Sequence, residues 1–322
     1  MHSITRRALL GSGAAVALAA PALAFPDRSI RIISGFPPGG LNDVVSRAMA
    51  QALTPILGVP VVVENRAGAG GSVGGMAAAR SAPDGHTLWM GIVDTQAILP
   101  TAMRALQYDP DRDFAPISFV ANVPFAYISG PSQPNIRDFG ALMAAAKARP
   151  GTITFASWGV ASTSHLAMER VLRQQQVEML HVPFTGQAPA MQAIIASQVD
   201  CMALPAGGAE GAWRAGQLRV LAVAAKQRVP LYPDVPTILE LGGTLDAGLW
   251  KAIYAPARTP APIIARLNQA VHEAMRQPQF IEVLRMQGAV PEPTTPEALA
   301  ELQRRDRIAW GEVVQATGAY LN

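Results

Sequence analysis

Apolar runs of strand length alternate with helix-like segments along this chain of 322 residues. In the first series the apolar runs are IRIISGF, VPVVVEN and HTLWMGIV, and helical periodicity begins at about Asp43 and again after Gly75. Such alternation is typical of a parallel sheet whose strands are joined by crossover helices. The first helix has the clearest pattern, because apolar residues recur three or four positions apart and Gly58 ends the run. Its apolar positions are Val44, Val45, Ala48, Met49, Ala52, Leu53, Ile56 and Leu57.

A second series of comparable length begins near Phe125. Its apolar runs are FAYISG, TITFASWG, VEMLHVPF, VDCMAL and LRVLAVA, with helices at about 138–148, from about Ser164 and from about Ala188. The tail after Pro262 is largely helical and places four apolar residues on one face: Leu267, Ala270, Val271 and Ala274. Two α/β lobes followed by terminal helices are typical of a two-lobed receptor that binds its ligand between the lobes, near the carboxyl ends of strands.

The first 24 residues have the pattern of a cleaved export signal. A basic start with Arg6 and Arg7 precedes an apolar run that ends in the small-x-small sequence Ala22-Leu23-Ala24. We therefore predict cleavage after Ala24 and export to the periplasm. The adjacent arginines also fit the route that exports folded proteins. No cysteine follows the cleavage site, which argues against a lipid anchor.

Charge and composition exclude several partners and cofactors. The net charge is +3, and loss of Arg6 and Arg7 with the signal would leave it near +1, so nothing favours a nucleic acid partner. The single cysteine, Cys201, lies in an apolar run and is interpreted as a buried small hydrophobic residue. The histidines show no metal-ligand spacing. We expect neither a metal nor a cofactor.

The stretch GFPPGGLNDVV, residues 35–45, joins an apolar run to the first helix. Pro37 and Pro38 fix φ, whereas Gly39 and Gly40 let the backbone turn and approach a ligand closely. The free N–H groups and positive dipole end of the helix that follows suit an anion. Capping by Asn42 or Asp43 is expected. The stretch contains no lysine, and backbone donors can hold a carboxylate without a fixed cation.

A second glycine-rich loop, ENRAGAGGSVGG, also lies between a strand and a helix. A phosphate loop needs a lysine where Met76 follows the last glycine, and the dinucleotide fingerprint needs a glycine where Val73 stands. The segment 70–74 does match G-x-S-x-G, so an exported serine esterase that uses Ser72 is an alternative. The loop separates Ser72 from the strand, which favours a serine that offers its hydroxyl and N–H to a ligand instead.

The segment SWGVASTSHL again passes from a strand end into a helix. Four hydroxyl residues lie near the helix start, where they either cap the helix or coordinate an anion: Ser157, Ser162, Thr163 and Ser164. His165 either orients a ligand carboxylate or is a packed structural residue. Trp158, Phe184 and Trp250 either line a pocket or belong to the core.

Together these stretches resemble the solute-binding proteins of the tripartite tricarboxylate transporter family, also called Bug receptors. The resemblance covers almost the whole chain after the signal. Its matching segments are FPPGGLNDVVSRAMAQAL, LGVPVVVENRAGAGGSVG, APDGHTLWMG, YDPDRDFAPIS, AKARPGTITFASWG, STSHLAMER, HVPFTGQAPAMQAIIASQVD, LRVLAVA, PDVPTILELG and LWKAIYAPARTP.

The resemblance implies the type II periplasmic binding protein fold, in which two Rossmann-like α/β lobes are joined by a hinge and close on a small organic carboxylate. Lobe one would comprise 25–124 and 248–322, and lobe two 125–247. It implies no catalytic residues and no metal. The partners would be the carboxylate and the membrane permease subunits of a tripartite tricarboxylate transporter, with a ligand-presenting receptor for a sensor kinase as an alternative. A monomer is expected.

The implied ligand site draws residues from both lobes, and ordered water would mediate some contacts. In lobe one they are Phe36, Pro38, Gly39, Gly40, Gly70, Gly71 and Ser72; in lobe two they are Ser157, Trp158, Ala161, Ser162, Thr163, His165, Phe184, Thr185, Gly186 and Leu204. Two of these depart from the family pattern. Ala161 replaces the second glycine of a G-x-G and would tighten its loop. Leu204 stands where an aspartate is frequent, which argues against an amino acid ligand and favours a plain carboxylate, with Trp158 favouring an aromatic one.

Overall fold

The computed structural model describes residues 25–244 and 248–321, so the proposed signal segment lies outside the described residues. The strands are β1 (Ile30–Ser34), β2 (Val61–Asn65), β3 (Thr87–Ile92), β4 (Phe114–Ser129), β5 (Thr154–Ser157), β6 (Leu180–Pro183), β7 (Cys201–Pro205), β8 (Arg219–Ala224) and β9 (Gly248–Pro256). The helices are α1 (Leu41–Leu57), α2 (Ser72–Ala79), α3 (Leu99–Ala102), α4 (Phe139–Ala148), α5 (Thr163–Gln175), α6 (Gln187–Ile195), α7 (Ala206–Arg214), α8 (Ala261–Ala274), α9 (Pro278–Arg285) and α10 (Pro296–Thr317). A 3₁₀ turn (Ala69–Gly71) precedes α2, and a π-helix (Asp94–Ile98) precedes α3.

The strands form two sheets that share β4. In the first sheet β1 lies between β2 and β3 in parallel, and β3 is followed by antiparallel β9 and then β4. In the second sheet β4 lies between β8 and β7, and β5 and β6 continue the sheet in parallel with β7. We call the part built on the first sheet lobe one and the part built on the second lobe two. The predicted pair of α/β lobes is confirmed.

The 16 residues of β4 pass from one sheet to the other. Residues 114–124 pair with β9, whereas Phe125–Ser129 pair with β7 and β8. The register with β9 shifts after Pro116 and again after Phe119. Irregular pairing accommodates a proline, which has no N–H for the ladder, and it bends the strand. The apolar pattern predicted only the second half of this strand.

The helices bury the faces that their periodicity predicts. On α1, Val45, Met49 and Leu53 are inaccessible to solvent, and Gly58 ends the helix in the left-handed conformation. The four apolar residues predicted on one face of the tail are all fully buried on α8. Cys201 is buried as predicted, and burial raises the pKa of its thiol. No helix within the described ranges is both long and apolar enough to cross a bilayer.

The last helix, α10, contacts both lobes. In lobe one its Gln303 accepts a hydrogen bond from Gln96 of the π-helix at 3.4 Å. In lobe two the guanidinium of Arg173 on α5 donates to the carbonyl of Ala316 at 2.9 Å. The sequence predicted a helical tail but not this bridging position. Since α5 begins at the cleft, α10 links the buried π-helix of lobe one to a helix that carries predicted site residues.

Candidate functional site

The loop between β1 and α1 is held by a carboxylate from within the helix. Gly40 is the N-cap residue, so the prediction that Asn42 or Asp43 occupies that position is wrong. Asp43, three residues into the helix, reaches back and accepts the amide of Gly39 at 2.9 Å. It also accepts from Asn65 at 2.8 Å and Arg47 at 2.9 Å. The Gly39 amide is therefore satisfied within the protein, while Pro38, Gly39 and Gly40 remain exposed to solvent.

A buried lysine lies beneath this loop. Asn42 points inward, where its amide group donates to the Ser34 hydroxyl at 3.1 Å and its carbonyl oxygen lies 3.4 Å from Nζ of Lys251 on β9. Lys251 is 0% exposed, and burial lowers its pKa to about 7, although the charge of Asp94 acts in the opposite direction. The stretch 35–45 itself contains no lysine, but a lysine from β9 lies beneath it. The only sequence signal was a lysine within the apolar run LWKAIYAP.

The glycine-rich loop packs directly against the π-helix. Gly71 has φ +94°, and a Cβ at this position would lie 2.8 Å from the Thr95 side chain and 3.1 Å from the Phe36 ring. Only glycine fits this conformation and this contact without displacement of its neighbours. Phe36 and Gly71 are thus brought together as predicted site residues. Gly70 is exposed, and Ser72 is the first residue of α2.

The geometry does not support the esterase alternative. Among the residues that the structure describes, no histidine hydrogen-bonds the Ser72 hydroxyl. A serine nucleophile needs a base within about 3.2 Å of its hydroxyl. The histidine that does contact a serine is His181, on Ser157 in the other lobe. Ser72 is the first residue of α2, and the favoured prediction that it offers its hydroxyl and amide to a ligand stays a prediction.

In lobe two, Ser157 and Ser162 shape the loop between β5 and α5. The buried Ser157 hydroxyl lies 2.7 Å from Nε2 of His181 and accepts the amide of Gly159 at 3.1 Å. Ser162 is the N-cap of α5, where its hydroxyl accepts the amide of His165 at 3.3 Å and donates to the carbonyl of Gly159 at 2.6 Å. The capping alternative is thus the one observed for Ser162. Ala161, between them, has φ +58°, a region that favours glycine.

His165 is packed and hydrogen-bonded within the protein. Its ring stacks on His181 with centroids 3.8 Å apart, and its Nδ1 accepts the amide of Ala161 at 3.2 Å. That bond leaves the proton of the neutral ring on Nε2, which lies 3.8 Å from the Glu169 carboxylate. Burial, and then the neighbouring His181, lower the pKa of His165 to about 3. His165 is accordingly neutral near pH 7, which matches the structural alternative.

Thr163 joins the two lobes. Its amide donates to Oδ1 of Asp94 at 3.0 Å, and its hydroxyl donates to Oδ2 of the same carboxylate. Thr163 is the first residue of α5 in lobe two, and Asp94 is the first residue of the π-helix in lobe one. Burial raises the pKa of Asp94, while the Thr163 hydrogen bonds and the charge of Lys251 act against that rise. Sequence reasoning missed Asp94 altogether.

The remaining predicted residues lie in lobe two, either close to the 157–165 segment or apart from it. Trp158 is half-buried against Phe125, with ring centroids 5.9 Å apart, and the amide of Phe184 donates to the carbonyl of Ser157 at 2.9 Å. Thr185 is exposed and Gly186 is the N-cap of α6. Leu204 is fully buried within the apolar cluster of lobe two. The structure therefore groups the 157–165 segment with Phe184, and it places Leu204 in the core.

Comparison with known proteins identifies the family. The sequence profile of the tripartite tricarboxylate transporter family receptor matches residues 45–319. The chain belongs to this family. It is 36% identical to protein BugT of Bordetella pertussis over 314 residues, which cover 96% of this chain and 95% of BugT. The resemblance identified from the sequence is therefore confirmed.

Solved structures of other receptors share the fold over nearly their full length. MatC from Rhodopseudomonas palustris, solved with bound malate, is 33% identical with a TM-score of 0.79 and covers 90% of this chain and 100% of MatC. Rpa4515 of R. palustris, solved with adipate, is 28% identical with a TM-score of 0.84, over 92% of this chain and all of that protein. These receptor relatives are not enzymes, which confirms the prediction that this family member is a binding protein and not an enzyme.

Proposed function

We propose that this receptor captures a small organic carboxylate in the periplasm and delivers it, as a monomer, to the membrane permease subunits of a tripartite tricarboxylate transporter. The observation that carries the proposal is the meeting of the two lobes at α5, where Thr163 binds the carboxylate of Asp94 through two hydrogen bonds. The end of α5 is thus able to hold a carboxylate in a buried setting. Family membership and the carboxylates bound by MatC and Rpa4515 support the same ligand class.

The path of the chain supports a cleft between two closing lobes. We assign 25–124 and 248–322 to lobe one and 125–247 to lobe two, because β4 changes partners between Pro124 and Phe125. The carboxyl ends of β1, β2 and β3 in lobe one and of β5 in lobe two carry the loops of the candidate site. Ligands of open α/β sheets bind at these strand ends. A bend in β4 would let the lobes separate and close.

The site residues divide into those that contact the ligand and those that support the contact residues. We assign exposed or half-buried groups at the cleft to direct or water-mediated ligand contacts, and Ser157, Ser162 and His165 to the framework that positions them. The proposed contact residues are Phe36, Pro38, Gly40, Gly70, Ser72, Trp158 and Phe184. Micromolar binding requires about 8 kcal/mol, and charge-assisted hydrogen bonds contribute about 1.5–3 kcal/mol each. A few such bonds with burial of an apolar ligand body are sufficient after association costs.

A thermal-shift and calorimetric screen tests the ligand class. The protein is purified, freed of retained solute by unfolding and refolding, and titrated with mono-, di- and tricarboxylates and with the corresponding amides as uncharged controls. We expect a subset of the carboxylates to raise the melting temperature, because a ligand that binds only the folded state must stabilise it. The amides should have no effect. Failure of every carboxylate to bind would overturn the proposal.

Location and delivery need separate measurements. Cell fractionation of the full chain should recover the protein in the periplasm, with the first 24 residues absent by mass spectrometry. Uptake of a labelled carboxylate that binds should depend on both this receptor and the permease subunits. Uptake unaffected by deletion of the permease would argue for a sensor partner instead. Size-exclusion chromatography with light scattering would test the monomer.

A further inference from the structure

The N-terminus of α5 already holds a carboxylate, and that carboxylate belongs to the protein. Asp94 is 6% exposed and Thr163 is 0% exposed, so the contact is shielded from water. Oδ1 accepts the backbone amide at the start of the helix and Oδ2 accepts the hydroxyl of the same residue. Asp94 thus occupies, from the opposite lobe, a position that suits the carboxylate of a ligand.

Asp94 lies inside the candidate site and not at a remote contact between the lobes. Its neighbour Thr95 packs against the glycine-rich loop, where it limits the space beside Gly71 to less than a methyl group. The Phe36 ring closes the same contact. The charge of Lys251 also acts on Asp94, and Lys251 contacts Asn42 in the first turn of α1. Asp94 therefore adjoins a residue that packs on one of the loops assigned to the solute.

We propose that Asp94 is a specificity residue that fills one anion position of the site, so that this receptor selects solutes with a single carboxylate over dicarboxylates. The inference rests on the proposed function and refines its ligand class. A second ligand carboxylate at α5 would have to displace Asp94 or lie beside a like charge in a poorly hydrated setting, and both are unfavourable. Malate and adipate, bound by MatC and Rpa4515, each carry two carboxyl groups.

Matched pairs of acids test the inference in the full receptor. Butyrate and succinate have the same number of carbons, as do hexanoate and adipate, and each pair differs in one terminal carboxylate. Calorimetry should give the unaltered protein at least about a tenfold preference for the monoacid of whichever pair binds. Asp94→Asn keeps the shape but removes the charge. It should raise the affinity for the diacid at least about tenfold and so remove that preference.

Asp200→Asn is the matched control. Asp200 is also a buried carboxylate, with hydrogen bonds from Ser132, Gln133 and Thr154, but it lies at the end of lobe two opposite the cleft. Its variant should be less stable yet keep the preference of the unaltered protein. Asp94→Ser provides a second removal of the charge if Asp94→Asn does not fold. The ratio of monoacid to diacid affinity in the unaltered receptor also tests the inference by itself.

The outcomes separate this inference from the proposed function. If the unaltered receptor binds diacids more tightly, or if removal of the Asp94 charge leaves the ratio of monoacid to diacid affinity unchanged, the inference is wrong and the receptor function stands. If no acid in the wider carboxylate screen binds, the proposed function fails and the inference fails with it. If 4-aminobutyrate binds more tightly than butyrate, Asp94 is a counter-ion for an ammonium group, which also overturns the inference.

Discussion

His165 and His181 stack in lobe two with their ring planes 12° apart and their centroids 3.8 Å apart. Phe155 lies on the same stack, with its centroid 4.9 Å from that of His181. Burial lowers the pKa of His181 to about 4, and burial followed by the charge of His181 lowers that of His165 to about 3. Two neutral imidazoles therefore pack where two imidazolium ions would repel each other.

This stack should make the receptor sensitive to mild acid. An unfolded histidine takes up a proton near pH 6.5, whereas the folded pair stays neutral, so stability is lost as pH falls from about 6.5 toward the folded values. At pH 5 the loss is about 2 kcal/mol for each histidine. Urea unfolding at pH 7.5 and pH 5.0 measures it. In His181→Gln the loss between these values should shrink by about 2 kcal/mol, and an unchanged loss would contradict the prediction.

Ala161 adopts φ +58°, where an L-residue is strained, and it lies directly before the cap of α5. Ala161→Gly should therefore raise the free energy of unfolding by about 1 kcal/mol, since relief of strain outweighs the added freedom of the unfolded chain. Ala144→Gly, at an exposed position within α4, is the matched control and should lower it by about 1 kcal/mol. Denaturant midpoints measure both. Equal losses in the two variants would show that residue 161 carries no strain.

Gly71→Ala should damage the candidate site. The added methyl group would lie 2.8 Å from Thr95, which is closer than any stable contact, at a φ that alanine disfavours. We expect a loss of more than about 2 kcal/mol of stability and at least tenfold weaker solute binding, because the loop must move away from the π-helix. Gly211→Ala, on α7 with nothing within 4 Å of the new group, should be neutral or stabilising. Similar effects of the two substitutions would contradict the assignment.

Sequence reasoning predicted the features that residues close together in the chain determine. The apolar period of α1 and the run of hydroxyl residues at 162–164 are both visible within a few positions of sequence. The helix α1 and the cap of α5 could therefore be expected. Asp94 and Thr163 are 69 residues apart, and no local rule places an aspartate from one lobe at a helix start in the other. The π-helix was missed for a related reason, since its residues are held by packing against α10 more than by their own periodicity.

Lys251 in β9 is a second residue whose contacts lie too far away in sequence for local pattern to predict. The strand was not predicted, because its polar residue interrupts the apolar run, and its contact with Asn42 joins positions 209 residues apart. Only the assembled sheet, with Lys251 paired to Ile92 and Ala121, shows that the side chain is enclosed. A single lysine in an apolar strand was therefore the one available sign that lobe one encloses a buried lysine.

The enclosed lysine should make stability rise with pH on the alkaline side. Burial lowers the pKa of Lys251 to about 7, whereas in the unfolded chain the amine keeps its proton to about pH 10. Between these values the unfolded state binds more protons than the folded state, so the free energy of unfolding must increase with pH. Urea unfolding at pH 7 and pH 9 should show this increase, and Lys251→Met should abolish it. If Lys251→Met instead keeps the pH response of the unaltered receptor, another group is responsible for the titration.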